Sequence, residues 1–326
     1  MTTNLLGSGQ VGRYFTVVSV LPSAVLVLYI YLLAGTDPWS GPLQWSELAD
    51  FRAQNLVITG IAVMVLALAL NPLQFTLIQL MEGYWGNSRL AVQFATIRTI
   101  YHQRRAAELD GRALADDAPG AGMVERTRAT IDATESERLF ASYPVEQRDF
   151  LPTRLGNVLR RYETTVGKPY GLDPLLSIPR LAMVVGQREL GYVRDQRVQL
   201  ELAIRTALLA GAAVVATVVL LWRQGLWMLL AAVPYGVAFL AYRGAVAIAH
   251  EYGTSLAVLT EFGRFDLYRR LHLPHPPDTS AEREVNEKLM RMFDFADETL
   301  RYQEPPAPEG SLTPQDGADT NPPETD

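Results

Sequence analysis

The sequence of 326 residues contains no cysteine and only four histidines. Without cysteine the chain has no disulfide, no thiol nucleophile and no thiolate ligand for a metal. The histidines are His102, His250, His272 and His275, and no two of them occur in the HExxH spacing of a zinc protease. The pair in 272-HLPH-275 lies beside prolines and is interpreted as part of a loop. We therefore predict no metal site and no cofactor.

Sequence motifs for catalysis are missing as well. The chain has no GxxxxGK[ST] phosphate loop, no GxGxxG after a predicted strand and no GxSxG nucleophile turn. We predict no catalytic residue and favour a non-enzymatic role, with enzymatic activity kept as an open alternative.

Charged residues are absent from four long apolar blocks. These blocks are 15–34, 56–70, 206–222 and 226–241. Because a membrane-spanning helix needs about 20 mostly apolar residues, we predict an all-α fold with four transmembrane helices. They pair into two hairpins: 1–84, with spans at about 15–34 and 56–81, and 205–249, where 223-RQG-225 forms a tight turn. The lipid bilayer is the first predicted partner.

The second span contains a helix break. Its apolar block of 56–70 covers only about 22 Å at 1.5 Å per residue, so the span must continue past 70-LNPLQ-74. Proline lacks an N–H and disfavours the helical conformation in the residue before it, and the freed backbone needs a partner in hydrocarbon. We predict an intramembrane polar site at Asn71, Pro72, Gln74 and Gln79, with the amides facing neighbouring helices. It is either a kink held by amide hydrogen bonds or the lining of a solute path or lipid-headgroup site.

The distribution of lysine and arginine predicts the orientation. Segment 35–55 contains one lysine or arginine, Arg52, and the tip of the second hairpin also contains one, Arg223. In contrast, segment 85–204 contains seventeen lysines and arginines, and seven more follow residue 250. Because cytoplasmic segments carry the excess of positive charge, we predict a multi-pass protein of the bacterial inner (plasma) membrane with both termini in the cytoplasm. Arg205 directly precedes the third block, and its side chain is expected to reach the headgroup layer.

The segments predicted to be cytoplasmic are helical by their periodicity. A helical domain over 85–204 begins with a helix at 88–115, which is expected to continue the second span as a stalk. Its apolar stripe consists of Leu90, Phe94, Ile97 and Tyr101. A polar helix is predicted over about 124–141. Helices over 250–302 extend the fourth span and end with one that starts at a Thr279–Glu282 capping box and docks onto the stalk. The cytoplasmic part is therefore built largely from extensions of membrane helices.

The segment 150–185 carries the most distinctive cluster of polar residues. Its helix is expected to end near Gly167 and Pro169, and Asp173 is expected to cap the following turn. Candidate ligand-binding residues are Arg154, Asn157, Arg160, Arg161, Glu163, Tyr170 and Arg180. The arginines have three alternative roles: binding a phosphorylated ligand, holding the domain against anionic lipid, or pairing with local carboxylates.

This segment carries the pattern 153-TRLGN-157, 159-LRR-161, 170-YGLD-173 and 179-PRL-181, followed by a membrane hairpin. The pattern resembles a group of uncharacterised bacterial multi-pass membrane proteins. The resemblance covers roughly 145–185, and more weakly 250–275. It implies the architecture of such proteins and no particular activity.

The chain ends in an acidic, proline-rich tail at 303–326 that has one leucine and no aromatic residue. Such a composition predicts disorder. Further expected partners are a second copy of the chain and a cytoplasmic protein that binds the last helix or the tail; no nucleic acid is expected. The leading hypothesis is a membrane-anchored scaffold or sensor. The alternatives are a channel, transporter or lipid-handling protein with a polar site around Asn71, and an enzyme that binds a phosphorylated ligand at Arg154–Arg161.

Overall fold

The computed structural model describes residues 15–36, 53–114 and 122–303. Within these ranges the protein is all-helical, which confirms the predicted all-α class, and no strand is present. The α-helices of the described residues are α1 Leu21–Ala34, α2 Ala53–Leu70, α3 Gln74–Glu82, α4 Arg89–Ala113, α5 Met123–Phe140, α6 Arg154–Thr165, α7 Pro174–Val184, α8 Gln187–Leu221, α9 Ala232–Arg270 and α10 Thr279–Phe293. A π-helical turn, Phe15–Val20, precedes α1, and a 3₁₀ turn, Gly225–Ala231, precedes α9.

The helices α8 and α9 form a long antiparallel hairpin. They contain 35 and 39 residues and pack along each other, and Ala245 and Ala249 of α9 are fully buried. Small side chains at these positions let the two helices approach closely. Both Gln187–Leu221 and Gly225–Arg270 are long and apolar enough to cross a membrane. Each is also longer than the roughly 20 residues that a bilayer requires, so a polar part of each helix extends beyond the apolar part.

The helices α2 and α3 form a bent pair. Asn55–Leu70 and Gln74–Glu82 meet at 68°, and together they pass the same length and composition test as one broken span. The first predicted span corresponds to a shorter apolar helix, Val18–Ala34. In the described residues, therefore, two helices could cross a membrane, or three if the bent pair counts as one.

The helices α4 to α7, here called the module, lie beside the polar halves of the long hairpin, and α6 and α7 pack against α9. The core of the module joins Leu155, Val158 and Leu159 of α6 to Ile204 of α8 and Ala249 of α9, and Ile78 and Met81 of α3 pack against the same cluster. The hydroxyl of Thr153 donates a hydrogen bond to the carbonyl of Glu82 at the end of α3, at 2.8 Å. The module and the apolar helices thus share one continuous core.

The predicted stalk is a separate helix. Gly83 has a φ of 109° and ends α3 in the left-handed conformation, and α4 begins only at Arg89, capped by Ser88. Only glycine adopts such a φ without strain, and this explains why the chain turns where the apolar periodicity suggested a continuous helix. The C-terminal half of α4 packs on α5 through Ala106 and Leu109.

The last helix docks at a different place from the one predicted. It packs on α7 and the turn Lys168–Tyr170 through a core that includes Leu181, Leu267 and Leu289. Its cap is Asp278, which accepts hydrogen bonds from the N–H groups of Ser280 and Ala281 at 2.9 and 2.8 Å. The predicted Thr279–Glu282 capping box is therefore wrong. Residues 37–52, which the predicted orientation places outside the cytoplasm, and the tail beyond Gln303 lie outside the described residues.

Candidate functional site

Two prolines interrupt the backbone hydrogen bonds of the apolar helices. Pro22 has no N–H and so provides no α-helical partner for the carbonyl of Val18. At the second break, around Pro72, the N–H of Asn71 bonds to the carbonyl of Leu68 at 3.3 Å, and the N–H of Gln74 bonds to the carbonyl of Asn71 at 3.2 Å. The carbonyl of Leu70 is thereby left without the N–H of Gln74 as a helical partner.

Arg205 of α8 binds both of these carbonyls. Its guanidinium donates hydrogen bonds to the carbonyl of Val18 at 3.2 Å and to that of Leu70 at 3.4 Å, and it also donates to Oε1 of Gln74. The side chain is 1% exposed. The prediction that Arg205 reaches the headgroup layer is therefore wrong, because the two broken helices place acceptors within its reach. A planar guanidinium with five N–H donors can serve several acceptors at once.

Through these contacts Arg205 connects three parts of the bundle: the turn before α1, the α2–α3 break and α8. A buried carbonyl without a partner is costly in apolar surroundings, and hydrogen bonds from a charged donor are stronger than neutral ones. The neighbouring Ser23 donates to the carbonyl of Ser19 at 2.7 Å, and both serines are fully buried. The arrangement is a closed polar cluster rather than an open channel lining.

The structure separates the residues predicted around the break. Gln74 joins the cluster of Arg205, while Asn71 and Pro72 are exposed. The prediction that Asn71 faces the neighbouring helices is wrong, because Asn71 is exposed at the 68° bend. Gln79 is half-buried, and its side chain forms no hydrogen bond within the described residues.

Within the segment 150–185, several predicted ligand-binding residues hold the local fold. Asn157 is fully buried, donates to the carbonyls of Leu151 and Thr153 and accepts from the N–H of Leu151, each at 2.8 Å. Arg161 donates to the carbonyl of Tyr143 at 2.8 Å. These two side chains fix the turn before α6 and the neighbouring loop.

Arg160 is paired with local carboxylates, as one of the three alternatives predicted. It contacts Asp149 at 3.1 Å and Glu163 at 3.5 Å. It lines an open cleft of about 900 Å³ in which Arg148 and Lys168 both contact Glu146, at 2.8 and 3.6 Å. Burial raises the pKa of Glu163. Because the cations of this cleft already contact carboxylates, it is poorly suited to an anionic phosphate.

The other predicted residues lie apart from Arg160. Arg154 is exposed, Tyr170 stacks under Arg264 at 4.1 Å, and Arg180 stacks on Phe293 at 3.8 Å. The seven residues therefore do not form one site. No group of three or more potential metal ligands occurs in the described part of the chain.

The sequence analysis did not predict the buried polar contacts that hold α10 against α9. Arg264 of α9 pairs with Glu282 of α10 at 2.9 Å, and both side chains are largely buried. Asn286 accepts a hydrogen bond from the Tyr268 hydroxyl and donates one to the carbonyl of Tyr170, both at 2.8 Å. The only signal in the sequence was the pair of polar residues on the apolar side of the last helix.

The chain matches no protein-family model, no curated protein and no solved structure. The resemblance of 145–185 to bacterial multi-pass membrane proteins stays a prediction.

Proposed function

We propose that the chain is a multi-pass protein of the bacterial inner membrane that acts as a non-enzymatic, membrane-anchored scaffold. In this proposal four segments cross the bilayer as two hairpins, at about 15–34, 56–81, 206–222 and 226–241. The helical module and both termini lie in the cytoplasm, in keeping with the seventeen lysines and arginines of 85–204.

The observation that carries the proposal is the continuity of α8 and α9. Both helices run without a break from the apolar hairpin into the core of the module, where they contact α6 through Ile204 and Ala249. A module held on two uninterrupted helices has a fixed position relative to the hairpin. Such an arrangement suits a protein that presents a surface at a set distance from a membrane.

The geometry around Arg205 disfavours the alternative of transport through the α2–α3 break. An intramembrane charge that serves a solute path faces a water-filled cavity, but Arg205 is enclosed and bonded to backbone carbonyls. The alternative of an enzyme that binds a phosphorylated ligand is disfavoured by the pairing of Arg160 with Asp149 and Glu163.

Site-directed labelling tests the proposed topology, since the chain has no native cysteine. Arg223→Cys lies at the exposed hairpin tip and Arg148→Cys on the exposed surface of the module. A membrane-impermeant maleimide should label residue 223 in intact spheroplasts and residue 148 only after permeabilisation. Labelling of residue 148 from outside would refute the orientation.

The scaffold role is tested by photo-crosslinking in cells. A photoreactive residue replaces Ile131, which is exposed on α5, and a control replaces Val218, which is exposed on the apolar part of α8. The proposal expects a discrete adduct of constant mass from residue 131 that is missing from residue 218. A chain that stays uncrosslinked at 131 and runs as a monomer in native membranes would count against a scaffold.

A further inference from the structure

The N-terminal half of α4 carries an apolar stripe that no other described element covers. Leu90, Phe94, Ile97 and Tyr101 are 80%, 57%, 64% and 53% exposed. At 100° per residue they lie within a narrow sector of the helix. Four large apolar side chains left exposed in one row mark an interaction surface.

The orientation of this stripe is fixed by the other side of α4. His102, Ala106 and Leu109 are buried, and Ala106 and Leu109 belong to a small core with Tyr143. These packed residues are turned away from the centre of the stripe by roughly a quarter to two fifths of a turn of the helix. The module therefore holds the stripe facing outward.

The charge of α4 indicates the chemistry of the partner. Between residues 88 and 107 the chain has four arginines and no aspartate or glutamate. Arg89 and Arg104 are exposed, and Arg98 lies against the ring of Tyr101 at 5.2 Å. Arginines flanking an apolar stripe are typical of helices that lie in the interface of an anionic bilayer.

The position of α4 favours the same partner. It follows the bent pair after a short turn, and two of the large apolar side chains of α3 before this turn, Phe75 and Leu80, are exposed as well. Trp85 lies in the turn and contacts the ring of Phe94 at 5.3 Å. Tryptophan prefers the headgroup layer, so an apolar surface runs from the bent pair through Trp85 onto the stripe.

We propose that the first half of α4, residues 89–101, is an in-plane membrane-binding helix that inserts Leu90, Phe94, Ile97 and Tyr101 into the cytoplasmic leaflet and places its arginines among anionic headgroups. This inference rests on the proposed membrane placement of the bent pair. It gives the module a contact with lipid in addition to the hairpin, and it would hold α5 and α6 at a set height above the bilayer.

Depth-dependent quenching tests this proposal on the full-length chain. Single-cysteine variants Phe94→Cys and Ile97→Cys are labelled with an environment-sensitive fluorophore and reconstituted into vesicles of phosphatidylcholine and phosphatidylglycerol that contain nitroxide-labelled lipid. Thr96→Cys is the matched control, since it is exposed and lies about 200° around the helix from Phe94. Val218→Cys, on the apolar part of α8, reports the spanning hairpin separately.

The proposal expects nitroxide lipid to quench probes at 94 and 97 at least about twofold more than at 96, because an interfacial helix buries its apolar face about 5–10 Å deep. Quenching at 94 should also fall when phosphatidylglycerol is omitted. Equal quenching at 94, 97 and 96, together with quenching at 218, would overturn the in-plane helix and leave the spanning hairpin intact. Quenching at 94 and 97 without quenching at 218 would support the lipid contact and refute the hairpin.

A second copy of the chain is the competing occupant of the stripe. If unlabelled Phe94→Cys forms a disulfide between chains in the vesicles and the labelled probe is not quenched by lipid, the stripe is a dimer contact and the proposal is wrong.

Discussion

The guanidinium of Arg205 donates a hydrogen bond to the carbonyl of Val18, the group that loses its α-helical partner at Pro22. The two residues are separated by 187 positions in the sequence. The same guanidinium binds the carbonyl of Leu70 at the second break. Two breaks that would each be costly in apolar surroundings thus have one donor in common, and this donor ties three helices together.

Replacing Arg205 should leave the carbonyls at both breaks without a hydrogen-bond donor and so destabilise the protein. We expect Arg205→Met to lower the apparent Tm in detergent strongly, since each buried acceptor left unsatisfied costs about 1–3 kcal/mol. Adding Pro22→Ala should restore part of the loss, because alanine supplies an N–H for the carbonyl of Val18. Arg243→Met, at an exposed arginine of α9, is the control and should change little. Absence of any rescue by Pro22→Ala would contradict the role given to Val18.

The two glutamines of α3 form a matched pair of predictions. Gln74 accepts a hydrogen bond from Arg205, whereas Gln79 forms none within the described residues. Gln74→Leu should therefore destabilise the protein by about 1.5–3 kcal/mol, the range for a hydrogen bond to a charged group, and Gln79→Leu should be nearly neutral. Chemical unfolding of both variants in the same micelles measures the difference, and equal effects would contradict it.

The sequence predicted the two long apolar helices α8 and α9 because uncharged length is a local property of the sequence. It also predicted the cap of α7, where Asp173 accepts from the N–H of Leu175 at 2.8 Å, because that contact spans two residues. The hydrogen bonds of Arg205, in contrast, join it to residues 131 to 187 positions away in the sequence. No spacing rule reports such a contact, so an arginine at the edge of an apolar block was assigned to the headgroup layer.

The local nature of sequence patterns also explains why the predicted positions of α4 and α10 are wrong. The apolar stripe of α4 has helical periodicity, and periodicity does not show whether a helix continues its predecessor across Gly83. Nor does it show whether the stripe packs on protein or faces outward. The docking site of α10 likewise depends on Arg264, which pairs with Glu282 from another helix.

The ion pair between Arg264 and Glu282 should be essential for docking of α10. Removing one partner of a buried pair typically costs about 3–5 kcal/mol, so Glu282→Gln should increase hydrogen exchange throughout α10. The double variant with Arg264→Met should lose less than the sum of the two single variants. Glu284→Gln serves as the control, because its ion pair with Lys288 is exposed to solvent and contributes little to stability. Unchanged exchange in Glu282→Gln would show that the apolar core alone holds α10.

Acid should loosen the packing of α4 around His102, whose Nδ1 lies 3.3 Å from the hydroxyl of Tyr143 in the turn after α5. Burial, assisted by the charges of Arg98 and Arg154, lowers the pKa of His102 from 6.5 to about 4. Below pH 6.5 the unfolded chain therefore binds a proton that the folded chain does not bind, and stability falls as the pH drops toward 4. His102→Asn should flatten this dependence by about 1 kcal/mol between pH 7 and pH 5, since one pKa unit corresponds to about 1.4 kcal/mol and partial solvation reduces the full value. Hydrogen exchange of α4 at the two pH values measures the effect, and an identical slope in the variant would contradict it.

The contact between α3 and α6 depends on Gly156. A Cβ at this position would lie 2.1 Å from the carbonyl oxygen of Glu82, which is backbone and has little freedom to move. Gly156→Ala should therefore push α6 away from α3 and destabilise the shared core by about 1–3 kcal/mol, the usual cost of overpacking. Gly236→Ala in α9 is the matched control, because nothing lies within 4 Å of its added Cβ, and a helical glycine replaced by alanine gains about 0.5–1 kcal/mol. Opposite signs of the change in Tm for the two variants are expected. A tolerated alanine at 156 would mean that the module is not held against the end of α3, and the rigid coupling of module to hairpin would then rest on α8 and α9 alone.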